Sequence, residues 1–242
     1  MNKFNPTIIL VRPQLSENIG MTARVMGNFG LSKLYLVNPR DSWPNKKAEK
    51  SAKHAENIIK KIKIFSNLED ATAKFNYVIA TTNRERFLTK KTYHNFNDLN
   101  KNISNFKNIA FLFGPENSGL SNQDLRFAND IYTIKTSNLN KSLNLSHAVT
   151  VLSYEIFSMK NNSSKVNKNN KKIEQSVRKS ELSSFLNFLI NNLETQGFFH
   201  PKEKRDSMID NIYSIYNKMH LTKKELRMIW GMQKKLKNQP KL

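Results

Sequence analysis

Residues 111–120 read FLFGPENSGL. An apolar run stops at Gly114 and Pro115, meets a carboxylate at Glu116 and reaches a second glycine at Gly119. A buried strand that breaks into a glycine turn often holds a nucleotide phosphate. Here the spacing argues otherwise. The stretch has neither G-x-x-x-x-G-K-[ST] nor G-x-G-x-x-G, and no acidic metal cluster accompanies it. Nucleotide kinase and dinucleotide dehydrogenase readings are therefore poor. Taken alone, two glycines after a strand also fit an ordinary tight turn.

The neighbouring segments supply the architecture. TIILV (7–11), KLYLVNP (33–39, stopped by Pro39), YVIATT (77–82), IAFLFG (109–114) and DIYTIKT (130–136) read as short strands. RPQLSENIGM reads as a loop, followed by a helix in MTARVMGNFGL that Gly30 would cap. Residues 45–65 read as one helix that grows apolar toward its end, and 68–75 as a short one. Ser121 is a natural N-cap for a helix over 121–128, and 142–160 forms a long amphipathic helix. Strands alternating with helices predict an α/β domain over residues 1–160, a mostly parallel sheet with helices on both faces. Residues 161–179, rich in Asn, Ser and Lys, predict a flexible basic linker. Apolar periodicity returns over 180–242, predicting a small all-helical appendage with Trp230 and Phe198 as anchors and a capping box from Thr222 to Glu225.

Composition narrows the partners. The 242 residues carry a formal net charge of +21, which is costly to hold together unless a polyanion screens it. Nucleic acid is the first such partner and an anionic membrane the second; lysine-rich surface coating is the plain alternative. With no cysteine, disulfides and thiolate metal sites are excluded, and the five histidines show no zinc-ligand spacing. No apolar run suits a signal peptide or a membrane span, so the expectation is a cytoplasmic protein needing no metal.

Three segments become specific together: ENIGMTARVMGNFG (17–30), FLFGPENSGL (111–120) and KSLNLSHAVTVLSYE (141–155). Their order and spacing resemble the signature motifs of the trefoil-knotted SPOUT RNA methyltransferases. Within that superfamily the chain looks like the TrmH/TrmJ group, and its helical tail resembles the TrmJ branch of tRNA (cytidine/uridine-2′-O)-methyltransferases. GNFGLSKLYLVNP (27–39) and ATTNRER (80–86) add to the match, which spans nearly the whole chain. The resemblance implies a deep trefoil knot over about 77–156, S-adenosyl-L-methionine as cofactor, a homodimer, and methylation of a ribose 2′-hydroxyl in tRNA at anticodon-loop position 32. It implies tRNA contact by the helical tail as well. The same chemistry on the wobble position or on rRNA, and a catalytically silent RNA-binding protein, stay open.

By motif position, the resemblance puts catalytic roles on Arg24, Asn18, Glu116, Ser142 and Asn144. It puts cofactor contacts on Thr81, Thr82, Asn83, Gly114, Ile134, Ser142, Leu143 and Asn144. Each has a plainer reading beside it. Arg24 also fits a solvated or ion-paired helix cation, Asn18 a turn or cap residue, Glu116 a carboxylate capping backbone amides, and Ser142 an N-cap. Pro115 stands where many relatives carry Arg or Asn, and it offers no amide to a ligand. Arg84, Arg86, Lys90 and Lys91 follow a strand end and read as an RNA-contact patch, or as a solvated basic loop.

Overall fold

The computed structural model describes residues 4–84, 90–104, 106–140, 142–162 and 176–237. Arg86 and most of the segment expected to be a linker lie outside these residues. Seven strands form one sheet: β1 (Thr7–Val11), β2 (Lys33–Val37), β3 (Lys63–Phe65), β4 (Tyr77–Thr81), β5 (Thr92–Tyr93), β6 (Ile109–Phe113) and β7 (Asp130–Tyr132). They run in the order β3-β2-β1-β6-β4-β7-β5, and every ladder is parallel. β7 lies between β4 and β5, which follow one another in sequence.

Among the described residues, ten α-helices flank the sheet. They are α1 (Ser16–Asn28), α2 (Lys46–Ser51), α3 (Glu56–Ile59), α4 (Leu68–Thr72), α5 (Phe96–Ile103), α6 (Asn122–Leu125), α7 (Leu145–Asn162), α8 (Lys179–Thr195), α9 (Arg205–Lys218) and α10 (Lys223–Lys237). Side chains alternate across each strand. Ile8, Leu10, Leu36, Ile79 and Phe111 meet Ile19, Met26, Leu99, Val149 and Leu152 on the front face. Ile9, Val11, Val78, Ala110 and Leu112 meet Leu182, Phe185, Leu186, Ile209, Tyr213 and Leu226 on the back. The helical tail is thus docked on the domain and forms, with α4 and α6, the sheet's second layer. Trp230 packs on Phe185 and Phe188, whereas Phe198 is half exposed and leans on the buried Phe199.

Hydrogen bonds fasten the tail to the sheet. The amides of Lys179 and Ser180 donate to the carbonyls of Phe75 and Ala73, and Asn76 Nδ2 donates to the Ser176 carbonyl. Asn217 is buried, accepts from Lys179 Nζ, and donates to the Arg126 carbonyl at 2.8 Å.

Three expectations change. The single helix over 45–65 is two short helices and an edge strand, broken where His54 takes φ +68. The basic loop after β4 contains β5. Helix α1 starts at Ser16, inside the stretch read as a loop, and its N-cap Leu15 has no side-chain cap of its own. The groups that hold that end come from elsewhere in the chain.

Phe185 is fully buried between sheet and tail. Phe185→Ala should cost about 3–5 kcal/mol. In a Trp43→Phe background, denaturation followed by Trp230 fluorescence and by far-UV circular dichroism should give one coincident transition; two separated transitions would mean that the tail and sheet do not share a core.

Candidate active site

In a parallel sheet all C-terminal strand ends lie along one edge, and loops there carry ligands. β1, β6, β4 and β7 are adjacent, so the loops after them form a continuous rim. The loops after β6, β4 and β7 enclose a cleft of about 540 Å³, a size suited to a nucleoside-like ligand. Thr81, Thr82, Asn83, Gly114, Ile134, Ser142 and Leu143 line it, together with Glu116 and Arg84. Thr136 and Gly119 also line it, and sequence reading had not singled them out for this. Thr81 Oγ1 is buried without a hydrogen-bond partner among the described residues.

The turn of residues 114–120 closes on itself. The Gly119 amide donates to the Pro115 carbonyl at 2.8 Å. A Cβ on Gly114 would stand 2.3 Å from the Gly119 carbonyl carbon and the Leu120 nitrogen. Glycine is therefore required by the chain's own backbone. Gly119 has φ +66, which favours glycine for a second reason.

Glu116 leaves this turn and reaches the start of α1. Its carboxylate accepts from the Gln14 amide at 2.8 Å, the Leu15 amide at 3.4 Å and Asn18 Nδ2 at 2.7 Å. Asn18 Oδ1 accepts from Asn144 Nδ2 at 3.3 Å. Asn144 Oδ1 in turn accepts from the Ser146 amide at 2.9 Å and its hydroxyl at 2.8 Å, capping α7. One chain of hydrogen bonds so joins all three motifs. The α7 cap is Asn144, and Ser142 stands exposed on the cleft wall. The first and second loops are clasped again by Arg12, whose guanidinium donates to both carboxylate oxygens of Asp124. Sequence reading missed this pair, because its members lie 112 residues apart.

Arg24 is exposed on α1, is not among the cleft-lining residues of its own chain, and has no hydrogen-bond or ion-pair partner among the described residues. The basic residues after β4 separate. Arg84 Nη2 donates to the Asn117 carbonyl at 3.1 Å, holding the guanidinium against the 114–120 turn. Lys91 Nζ lies 4.7 Å from the Tyr93 ring centroid. Lys90 is placed inside rather than on an RNA-facing surface: it is 8% exposed and donates to the Ala128 carbonyl at 2.7 Å. Burial lowers its amine to about 8, partly offset by Asp130. Burial pushes Lys179 down as well.

The family can now be stated. Residues 5–154 match the SpoU rRNA Methylase family, and the chain belongs to it. Among individual proteins, the chain is similar to a tRNA (cytidine-2′-O-)-methyltransferase TrmJ of Methanocaldococcus jannaschii. The two are 36% identical over 158 residues, which is 64% of this chain and 68% of that protein. A tRNA (cytidine/uridine-2′-O-)-methyltransferase TrmJ of Sodalis glossinidius is also 36% identical, over 63% of this chain and 60% of its own length. The crystal structure of TrmJ from Z. mobilis ZM4 superposes with a TM-score of 0.87 at 33% identity, covering 96% of this chain and 99% of that one.

Two outcomes are expected. Gly114→Ala should force the turn open, and calorimetry should show at least a tenfold loss of affinity for an adenosine-containing ligand of the cleft. Between pH 8 and 9.5 the unfolded chain holds more protons on Lys90 than the folded one. Stability should therefore rise with pH in that window, and urea titrations of Lys90→Met should show a flatter slope.

Proposed function

We propose that this protein transfers a methyl group from S-adenosyl-L-methionine to a ribose 2′-hydroxyl of tRNA, with cytidine or uridine at anticodon-loop position 32 as the target. The observation that carries this reading is the hydrogen-bonded line Glu116–Asn18–Asn144 at the rim of the cleft. It joins the three motifs that the sequence shares with RNA ribose methyltransferases.

The cleft suits the cofactor. Thr81 Oγ1 is an unspent polar group in its wall, Asn83 and Ser142 add polar edges, and Ile134, Leu143 and Leu145 add apolar surface. When bound there, the cofactor supplies an electrophilic methyl carbon. Thr81, Thr82, Asn83, Ile134, Ser142 and Leu143 would hold it. Pro115 contributes a carbonyl to the turn, not an amide to the ligand.

Arg24 carries the charge chemistry. A guanidinium stays protonated and cannot act as an ordinary base. It can hold a substrate phosphate bidentately and stabilise negative charge developing on the 2′-oxygen. Asn18 and Asn144 spend their oxygens and one amide hydrogen each within the network, so they position the loops. Glu116 fixes the start of α1, and thereby the place from which Arg24 projects.

A second copy completes the site. The exposed arc of α1 runs on to an aromatic group in which Phe29 meets Tyr154 at 5.9 Å and Phe157 at 5.8 Å. Tyr154 is 56% exposed and Phe157 39%. A homodimer through α1 and α7 would cover these rings and bring Arg24 of one copy toward the cleft of the other. The insertion of β7 between β4 and β5 supports a trefoil knot over about 77–156. No described helix is long and apolar enough to cross a membrane, and a cytoplasmic enzyme working on tRNA fits this reading.

Mapping of 2′-O-methyl groups in tRNA, with and without the protein, tests the reading directly. Methylation at position 32 is expected, and transfer to no tRNA would overturn it. Arg24→Ala should lower kcat by about 10²–10³-fold, the scale seen when one electrostatic donor is removed from an active site, while cofactor affinity stays unchanged.

A further inference from the structure

Residues 46–63 carry seven lysines against two glutamates. The inner side of this segment, Ala48, Ala52, Ala55, Ile58 and Ile59, is buried in the front core, so its charge faces outward. Lys47 reaches Glu17 at 3.8 Å. Lys46, Lys50 and Lys53 are exposed and have no ion-pair partner among the described residues. Lys46 and Lys50 stand one helical turn apart on α2, with Cβ atoms about 5–6 Å from each other.

This ridge holds a fixed place relative to Arg24. A Cβ on Gly20 would lie 2.1 Å from the Ala48 carbonyl oxygen, so the α2 backbone rests directly on α1. One on Gly27 would lie 3.8 Å from Ala55 Cβ and 3.7 Å from Ile58 Cδ1. Gly20 and Gly27 thus mark the side of α1 that leans on α2 and α3. Arg24 lies between them, about 40° around the helix from Gly20 and one turn along it. Its side chain is exposed, and it shares α1 with the two glycines on which α2 and α3 lean. Lysines on flexible stems hold phosphates as point charges, fixing register without reading bases.

We propose that the outer face of α2 and α3, centred on Lys46, Lys50 and Lys53, is a docking track for an RNA sugar–phosphate backbone that delivers the target ribose beside Arg24. The inference rests on the RNA methyltransferase reading above. It explains why the lysines are left without carboxylate partners at this place, and why a rigid glycine contact joins α2 to α1.

The test replaces Lys46, Lys50 and Lys53 together with Gln in the full-length protein and titrates binding of a tRNA transcript against salt. The slope of log K against log [salt] should fall by roughly 0.7–0.9 for each phosphate that is no longer neutralised. The KM for tRNA should rise at least tenfold while kcat stays within about twofold and calorimetric cofactor affinity is unchanged. The same triple replacement with Arg should keep the wild-type slope. A control triple at Lys33, Lys101 and Lys107, exposed lysines outside both the ridge and the tail, should change the slope far less. Equal reductions from the two Gln triples would mean diffuse charge and would overturn the track. If the wild type methylates no RNA, the activity reading fails, and the salt slopes still judge the ridge. If it methylates tRNA and the ridge variant matches the control, the ridge alone fails.

Discussion

The Glu116 carboxylate is the point on which the site depends. Two backbone amides and one side-chain amide converge on it across about a hundred residues of sequence. Charge-assisted hydrogen bonds of this kind are roughly twice as strong as neutral ones. They do what a local cap does for most helices, since Leu15 offers α1 no side-chain acceptor. With α1 held there, Asn18 is in place to meet Asn144, and Asn144 is in place to start α7. The loops after β1, β6 and β7 are therefore tied together by one hydrogen-bonded line. The Arg12–Asp124 pair clasps the first two a second time, and Asp124 also completes the Ser121 capping box that starts α6.

The glycines serve the same rigidity. Gly114 lets one turn fold flat on its own backbone, and Gly20 lets α2 rest on α1. Neither position leaves room for a methyl group. The question raised by the 111–120 turn, which ligand its glycines serve, resolves in two parts. Gly114 serves the turn itself, and the ligand surface is shared among neighbouring loops. No lysine is needed in the turn, because a nucleoside-like ligand presents no phosphate to it.

Much of this was legible in the sequence because the signals were local. Continuous apolar runs marked β1, β2, β4 and β6, Gly30 ended α1 with φ +68, and Ser121 capped α6 as its position promised. What escaped was set by distant partners. The start of α1 is fixed by a carboxylate 98 residues beyond Asn18. β3 and β5 are too short to show a period and exist through pairing with β2 and β7. Lys90 read as a surface cation, yet it is buried with its amine on the Ala128 carbonyl. Of the eight motif residues expected at a cofactor, seven line one cavity and Asn144 does not. The division between residues that touch ligand and residues that hold loops needed the hydrogen bonds.

The docked tail also sets the order of events on the ribosome. The last strand of the sheet ends at Tyr132, but the back face waits for side chains from Leu182 to Leu226. At about 5–20 residues per second, close to a hundred residues take roughly 5–20 s to follow. For that interval the nascent chain carries a nearly finished sheet with one apolar face covered only by α4 and α6. Any threading past β4 and β5 would happen in the same window, before α8 and α9 arrive to close it. A chaperone that shields that face would then set how much time the thread has.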